Sequence, residues 1–353
     1  MHDRGAASAL QYSAPPALTA AAAPRASLPT PTGRSYAAGL LLGVLLDALI
    51  ADPRRWHPVA GYGRIAGVVE HRSYVPSRGR GVLHVSALVL PVIAASAVAE
   101  ERLRRRPGRL GLGVVAATWT VVGATGLRRE AARIGRALEQ EDVDAARSLL
   151  PTLCGRDPSL LDAADLARAV VESVAENTSD AAVGSLWWGA VARLPGLLAY
   201  RAINTLDAMI GHCSERYEAF GWAAARLDDL VNLVPARLTA ALTVLLAPTV
   251  GGRPSDAWRA WRRDAGAHPS PNAGPCEAAF AGALGVQLGG VTTYPYGISI
   301  RPTLGDGRPV EISDIGRATR LSSEVTFAAA VLCAGLALLV GRGKVISLAG
   351  VLR

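Results

Sequence analysis

The chain has 353 residues, of which 50% are hydrophobic and 19% are charged, and its mean hydropathy is +0.25. Soluble domains usually carry about 25% charged residues, so this composition excludes an ordinary soluble protein. The net charge of +8 comes from 37 basic residues, among which Lys344 is the only lysine. No aromatic residues interleave a basic stripe, which argues against a nucleic-acid-binding protein. The four cysteines form no CxxC pair, so neither a zinc site nor a disulfide framework is indicated.

Residues 1–35 are rich in Ala, Pro and Ser, and we predict either a disordered tail there or a start codon placed too early. Six apolar runs follow, and because about 20 helical residues cross a bilayer, they predict an all-α, polytopic membrane bundle of four to six spans. The run at 181–200 contains Arg193 and Pro195, so we predict that it is re-entrant or buried among other helices. The runs cover residues 36–51, 82–99, 110–127, 181–200, 230–250 and 325–341.

The polar segments between these runs are predicted to form the functional site. We assign residues 36–345 to a single membrane domain, in which residues 251–324 form a large polar loop region. That region is predicted to contain a helix around DAWRAWRRDA, followed by a Pro/Gly-rich stretch and short segments with glycine turns.

The segment ESVAENTSD, residues 172–180, concentrates acidic residues at the start of an apolar run. In a helix, Glu172, Glu176 and Asp180 share one face at i, i+4 and i+8, with Asn177 slightly to the side. Clustered carboxylates repel one another unless a cation lies between them, and Mg²⁺ combines one or two carboxylates with phosphate oxygens. The segment therefore fits the edge of a magnesium–nucleotide site, and it fits equally well a solvated helix end that caps the following run.

The segment 200–237 carries two further polar groupings. Arg201, Asn204 and Asp207 recur at i, i+3 and i+6, which places them on one helical face. The pair Asp228 and Asp229 leads directly into an apolar run. Ionisable groups at membrane depth are costly and normally line a site or pair with each other, so a functional site and an internal salt-bridge network both remain open.

Asn232 follows that aspartate pair by one turn, and Arg226 and Arg237 flank it. An ion pair between Arg226 and Asp229 at i, i+3 would suit the salt-bridge alternative. His57 precedes a proline in the first polar loop, and its position alone favours a turn residue over a ligand or an acid–base group.

The segment HPSPNAGPCEAAFAGALGVQLGG, residues 268–290, combines a rigid turn at Asn272 with glycines at 285, 289 and 290. Such glycines can let backbone N–H groups approach phosphate, although this pattern alone is weak. No P-loop is present, because the only lysine lies at position 344. If the protein binds a nucleotide, arginine side chains must hold its phosphates.

Taken together, these stretches resemble the CobD/CbiB family of cobalamin-biosynthesis proteins, the adenosylcobinamide-phosphate synthases. The resemblance rests on DALIADPRRWHPVAGYGRIAGVVE, SVAENTSDAAVGSLWWGAV, LPGLLAYRAINTLDAMIGHCSERYEAFGWAAARLDDLVNLVPARLTA, HPSPNAGPCEAAFAGALGVQLGG and LGDGRPVEISDIGRATRL, which occur in the family's order over most of residues 36–325. It implies a multi-pass enzyme of the inner cell membrane. The implied reaction is ATP-dependent amide formation between adenosylcobyric acid and (R)-1-amino-2-propanol O-2-phosphate, or free aminopropanol.

That chemistry implies ATP and Mg²⁺ as cofactors, the corrinoid, the amine and the lipid bilayer as partners, and possible contact with other late cobalamin-pathway membrane enzymes. We assign catalytic or acid–base functions to Glu176, Asp180, Asp207, Asp228 and Asp229, and magnesium binding to Glu176, Asp180, Asp228 and Asp229. We assign substrate or phosphate binding to His57, Arg64, Asn177, Arg201, Asn204, Arg226, Asn232, Arg237 and Asn272, with Asn272 acting on a lid. A transporter with an intramembrane polar path and a noncatalytic scaffold for corrinoid enzymes are the alternatives.

Overall fold

The computed structural model describes residues 30–51, 57–212, 214–294 and 297–340. In this part of the chain the secondary structure consists of helices and one antiparallel pair of strands. The helices are α1 (Pro31–Ile50), α2 (Pro58–Ser73), α3 (Arg78–Arg104), α4 (Pro107–Val122), α5 (Ala124–Glu139), α6 (Val143–Leu149), α7 (Ala163–Asn177), α8 (Gly184–Ile210), α9 (Trp222–Leu246), α10 (Pro254–Asp264), α11 (Ala273–Leu284) and α12 (Ser313–Val340). The strands are β1 (Leu288–Tyr294) and β2 (Gly297–Leu304).

Five helical segments of the described chain are long and apolar enough to cross a membrane, which confirms the predicted all-α membrane architecture of four to six spans. Three of them are α1, α3 and α12, and a fourth joins α4 and α5 from Pro107 to Glu139. The fifth extends α9 to Val250. The protein is therefore a multi-pass membrane protein.

The apolar run at 181–200 is not one of these five segments. It forms the first part of α8, which is interrupted at Arg193, where φ is 62° and ψ is −149°. The backbone N–H of Leu194, next to this interruption, donates to the Tyr36 hydroxyl at 3.0 Å, and Pro195 has no N–H to donate. The Arg193 guanidinium lies 3.5 Å from the Glu100 carboxylate on α3. The run is thus a broken helix packed among its neighbours.

Helix α1 begins at Pro31, so the boundary predicted at residue 36 lies inside this helix. The hydroxyl of Thr30 accepts a hydrogen bond from the backbone N–H of Gly33 at 3.2 Å, and Pro31 occupies the first helical position. This cap explains the earlier start, because it satisfies a backbone donor that the helix end leaves unpaired. Most of the predicted tail, residues 1–29, lies outside the described residues, as do residues 341–345 of the predicted domain.

The predicted polar region 251–324 contains more regular structure than its composition suggests. Its DAWRAWRRDA segment lies in α10, as predicted, and α11 packs against α10 and α9 with every residue buried. Strands β1 and β2 form an antiparallel hairpin with an irregularity between Leu288 and Gly290. This hairpin packs against α7 and α11. It thereby brings residues of β1 and β2 to the site described below.

Candidate functional site

The predicted acidic row lies at a change of helical geometry. Helix α7 continues into a π-helical turn, Thr178–Val183, which leads into α8. The Thr178 hydroxyl lies 2.6 Å from that of Ser322 on α12, which ties this turn to a membrane span. Glu172 and Glu176 lie on α7, and Asp180 lies within the turn. Such π-helical turns occur frequently at functional sites because they re-aim side chains within a continuous helix.

Three aspartates from three elements lie close enough to interact electrostatically, and we call them the acidic cluster: Asp180, Asp207 and Asp228. Burial raises the pKa of the Asp180 carboxyl well above its usual range, and the Asp228, Glu176 and Asp207 carboxylates add to that rise. Burial, together with the Asp228 and Glu176 carboxylates, raises the pKa of Asp207 to about 8. Asp180 and Asp207 nonetheless keep part of their surface exposed. Solvent therefore reaches part of the cluster.

Asn232 and Tyr200 hold the acidic cluster in position. The Asn232 amide donates to Asp228 Oδ2 at 2.9 Å, and its carbonyl oxygen lies 2.6 Å from the Tyr200 hydroxyl. That hydroxyl also donates to the backbone oxygen of Asp180 at 2.8 Å. A side chain at Gly184 would collide with the Tyr200 ring, so a glycine is required there. The predicted ligand-orienting residue Asn232 thus orients a carboxylate of the protein.

Arg201 supplies positive charge beside the acidic cluster. Its guanidinium donates to Asn204 Oδ1 at 3.3 Å, in agreement with their predicted common face, and it opposes the rise in the Asp180 pKa. His57 lies near Arg201, and its Nδ1 accepts a hydrogen bond from the backbone N–H of Val59 at 3.2 Å as the N-cap of α2. Burial, and then the charge of Arg201, lowers the pKa of His57. The sequence favoured a turn residue there, and the structure adds its proximity to the site.

Two of the predicted arginines lie apart from the acidic cluster. Arg64 is exposed on α2, and its Nε donates weakly to the backbone oxygen of Ala60 at 3.4 Å. Arg226 is exposed on α9 and pairs with Asp229 at 3.4 Å. Arg226 and Asp229 thus form the salt bridge that the sequence offered as an alternative. The Asp229 carboxylate also contributes to the raised pKa of Asp207, and the magnesium-binding and catalytic roles assigned to Asp229 stay predictions.

Two predicted ligand-orienting amides are engaged within the protein. The Asn177 amide donates to the backbone oxygen of Ser173 at 2.9 Å. Asn272 is buried, its Nδ2 donates to the backbone oxygen of Asp229 at 2.8 Å, and its Oδ1 accepts from Arg237 at 2.9 Å. Asn272 therefore joins the HPSPN turn to α9. This bonding assigns it a positioning role in place of the predicted lid contact with a ligand.

A second group of ionisable residues lies beyond Glu176, and we call it the mixed-charge cluster: Arg156, Glu172, His268, Glu277 and Arg301. Arg156 and Glu172 form a buried ion pair. The other oxygen of Glu172 accepts the backbone N–H of Gly289 at 2.6 Å. Gly289 has φ of +84°, and a side chain there would collide with the Pro302 carbonyl, so glycine is required. The backbone N–H that could have approached a phosphate therefore binds a carboxylate.

Glu277 lies fully buried in α11 at the centre of the mixed-charge cluster. Its Oε1 is 3.6 Å from Arg301 Nη1 and 3.8 Å from His268 Nε2. Among the described residues, neither carboxylate oxygen of Glu277 has a hydrogen-bond partner. Burial, with the Glu172 and Glu176 carboxylates nearby, raises the pKa of Glu277 well above its usual range, while Arg301 and Arg156 oppose that rise.

Glu176 lies between the two clusters. Burial raises its pKa, and the charges of Arg301 and Arg156 from the mixed-charge cluster oppose this rise. The Glu176 carboxylate in turn raises the pKa of Asp180 and of Asp207. Because one side chain interacts with both groups, the two clusters line adjoining parts of one site.

The predicted set omitted the mixed-charge cluster. One signal was present in the sequence, because Glu277 is the only charged residue in the otherwise apolar α11 segment AGPCEAAFAGAL. His268 belongs to the same segment as the predicted Asn272. Arg156 and Arg301 carry no comparable signal, since a loop and a hairpin strand bring them to the site.

The carboxylates of the site can be compared with those that a magnesium ion requires. Within the described ranges, no group of three or more His, Cys, Asp or Glu side chains is arranged to hold a metal ion. The acidic cluster nevertheless offers the carboxylate oxygens that Mg²⁺ prefers, and Mg²⁺ commonly uses only one or two of them together with phosphate oxygens and water. The residues therefore fit a magnesium ion that arrives with a nucleotide, with Asp180 and Asp228 as its carboxylates.

Comparison with known proteins identifies the family of this chain. The model of the CobD/Cbib protein family matches residues 40–322. The chain belongs to the CobD/CbiB family. It therefore has a role in cobalamin biosynthesis, and the family resemblance seen in its sequence is confirmed.

Two relatives illustrate the extent of the similarity. The Cobalamin biosynthesis protein CobD of Mycobacterium tuberculosis (strain CDC 1551 / Oshkosh) is 53% identical over 303 residues, which are 85% of this chain and 96% of that protein. The Cobalamin biosynthesis protein CobD of Chromobacterium violaceum is 43% identical over 307 residues, which are 86% of this chain and 97% of that protein. No solved structure matches the chain.

Proposed function

We propose that this CobD/CbiB protein is an adenosylcobinamide-phosphate synthase. It joins a carboxyl group of adenosylcobyric acid to (R)-1-amino-2-propanol O-2-phosphate, or to free aminopropanol, in an ATP-dependent reaction. Family membership and the membrane architecture support this proposal. The observation that carries it is the meeting of Asp180, Asp207 and Asp228 beside Arg201, where Asp180 and Asp207 remain partly exposed to solvent.

A carboxylate must be activated before it forms an amide, because its oxygen is a poor leaving group. In the proposed reaction the corrinoid carboxylate oxygen attacks the γ-phosphorus of ATP, and ADP departs with the electron pair of the broken P–O bond. The amine nitrogen then attacks the acyl carbon, and phosphate departs with the electron pair of the C–O bond. Both steps move negative charge onto oxygen, so fixed positive charge and exclusion of water favour them.

The acidic cluster supplies the groups that this chemistry needs on the nucleotide side. Asp180 and Asp228 would hold Mg²⁺, which when bound neutralises charge that develops on the phosphate oxygens. Arg201 lies beside Asp180, and its planar fork of donors suits a phosphate or the corrinoid carboxylate. Asn204 restrains Arg201, and Asn232 restrains Asp228, so these polar groups are oriented before substrate arrives.

The proposed reaction also supports a cellular location for the protein and an orientation in the membrane. We infer that the protein lies in the inner cell membrane with the acidic cluster at its cytoplasmic face, because ATP is supplied on that side. Asp228 lies in the second turn of α9, close to the beginning of a candidate membrane span. A site at the end of a span can take soluble substrates from water while its interior remains shielded.

An amide-forming assay tests the proposal. Membranes containing the protein would receive adenosylcobyric acid, aminopropanol phosphate or free aminopropanol, Mg²⁺ and ATP, and the corrinoid product would be followed by its mass. An aminopropanol adduct that depends on ATP supports the ligase. Absence of the adduct with both amines, from correctly inserted protein, would overturn it and favour a transporter or a noncatalytic scaffold.

A further inference from the structure

Glu277 is the most unusual ionisable residue that the acidic cluster does not include. It is fully buried, and its two carboxylate oxygens have no hydrogen-bond partner among the described residues. A buried polar group without a partner costs about 1–3 kcal/mol, and more if it is charged, so native structures usually satisfy such groups. The Glu277 carboxylate therefore has the capacity to bind a ligand that brings hydrogen-bond donors.

The cations near Glu277 leave this capacity unused. Arg301 Nη1 at 3.6 Å and His268 Nε2 at 3.8 Å lie beyond hydrogen-bond distance of Oε1. Arg301 instead donates to the Tyr294 hydroxyl of its own hairpin. The attraction between Glu277 and these two side chains is electrostatic and involves Oε1, so among the described residues Oε2 is the oxygen that remains available to a donor group of a ligand.

The donors of Arg301 and His268 are arranged to receive an anion. His268 Nδ1 lies 3.1 Å from the backbone nitrogen of Ser270 and 3.3 Å from its carbonyl oxygen, and in the tautomer whose Nδ1 accepts the Ser270 N–H, Nε2 carries the proton. That nitrogen lies 3.4 Å from Arg301 Nη1, so the two donors converge on one position. The Arg301 side chain is 18% exposed, whereas Glu277 is fully buried. An anion would thus bind at the outer end and a cation at the inner end.

This pairing of a buried carboxylate with outward cations complements a small zwitterion. Resting on the proposed ligase function, we propose that the mixed-charge cluster binds the amine substrate, with its ammonium group on Glu277 and its phosphate group on Arg301 and His268. The substrate class is a short amino alcohol phosphate. Arg156 and Glu172 pair with each other and frame the pocket without contributing to this specificity.

The position of Glu277 also suits proton removal. An ammonium group must lose a proton before its nitrogen can attack, and the Glu277 carboxylate, whose pKa is raised by burial, accepts that proton readily. The nitrogen then forms the N–C bond, and the departing phosphate takes the C–O electron pair and the second proton. Glu176 interacts with both clusters, so the proposed amine subsite adjoins the acidic cluster.

Binding measurements without ATP test the subsite separately from ligation. Purified protein in lipid nanodiscs would be titrated calorimetrically with aminopropanol phosphate and with free aminopropanol. We expect the phosphate to improve affinity in the unmodified protein. In Arg301→Gln, affinity for the phosphate ester should fall about 10- to 100-fold while affinity for free aminopropanol changes little, because charge-assisted hydrogen bonds are lost only with the phosphate.

Two further variants refine the test. Glu277→Gln should weaken both amines by a similar factor, since both carry the ammonium group. Arg259→Gln removes an exposed arginine that pairs with Asp256 on α10, and it should bind both amines as the unmodified protein does. If Glu277→Gln does not fold, the Arg301→Gln comparison between the two amines still decides the assignment of the phosphate end.

The outcomes separate this inference from the proposed function. Folded protein that forms the amide while Arg301→Gln retains the preference for the phosphorylated amine would overturn the subsite and leave the ligase intact. Protein that binds the zwitterion through Arg301 but forms no amide would overturn the ligase and retain the subsite. If the folded unmodified protein binds neither amine, the subsite assignment is wrong.

Discussion

The acidic cluster and the mixed-charge cluster lie on either side of Glu176, yet they balance charge in opposite ways. The acidic cluster gathers three aspartates beside one arginine, Arg201, so it needs a cation from outside the protein. In the mixed-charge cluster, two carboxylates face Arg156, Arg301 and His268, so most of its charge is compensated internally. The negative charge of the acidic cluster, which the protein does not balance, indicates where a cationic ligand binds. The balanced charges of the mixed-charge cluster provide rigidity and can recognise a zwitterion.

The largest effect on stability should come from breaking the buried Arg156–Glu172 pair. Glu172→Gln leaves Arg156 buried without a counter-charge, which typically costs about 3–5 kcal/mol in the free energy of unfolding. Denaturation in mixed detergent micelles measures this quantity. The exposed Arg147–Asp144 pair supplies the control, and Asp144→Asn should cost less than about 1 kcal/mol. A loss under about 1 kcal/mol for Glu172→Gln would contradict the internal compensation of the mixed-charge cluster.

The largest effect on activity should follow from Asp228→Asn, which removes a proposed magnesium carboxylate while preserving its shape. We expect amide formation to fall by about 100-fold or more, the order seen when one transition-state-stabilising group is removed. Asp229→Asn is the sequence neighbour that the structure pairs with surface Arg226, and it should retain at least about ten times the activity of Asp228→Asn. Equal losses in both variants would mean that the two aspartates act together, as the sequence predicted.

Removing the link between the HPSPN turn and α9 should have a moderate effect. Asn272→Ala deletes hydrogen bonds to Arg237 and to the backbone oxygen of Asp229, so we expect a loss of about 1–2 kcal/mol in the free energy of unfolding. Arg237→Gln removes only the exposed partner and should cost less. Equal stability of Asn272→Ala and the unmodified protein would show that the turn is held by other contacts.

The last prediction concerns the pH dependence that Asp207 contributes to stability. Its pKa in the folded protein is about 8, compared with 3.8 for the unperturbed side chain. Between these values the folded state retains a proton that the unfolded chain releases, so the contribution of Asp207 to stability is present at low pH and is lost as the pH rises through 8.

Unfolding measured from pH 5 to 9 should therefore show a negative slope that is shallower in Asp207→Asn, by up to about 1.4 kcal/mol per pH unit. Asp144→Asn, at the surface, should leave the slope unchanged. Identical slopes in Asp207→Asn and the unmodified protein would remove Asp207 from the acidic cluster.

Several features of the site could be predicted because they depend on neighbours along the chain. Helical spacing places Arg201 near Asn204 and Asn232 near Asp228, and both contacts form. The same spacing allowed Asp229 to pair with Arg226 or to face the site, and local pattern could not decide between them. The apolar runs also predicted the membrane bundle and singled out the segment around Arg193 and Pro195, where α8 is broken.

Composition and helical periodicity thus determined that this chain is a helical membrane protein, and its segments identified its family. The membrane class and the family could be identified locally. The length of an apolar run and the i, i+4 spacing of a helix can each be read within one segment of the chain. Only the tertiary structure decided which carboxylates come together, because Asp180, Asp207 and Asp228 come from three elements. It also decided the surroundings of Glu277, since the cations beside it come from a turn and a hairpin strand that no helical period relates to α11.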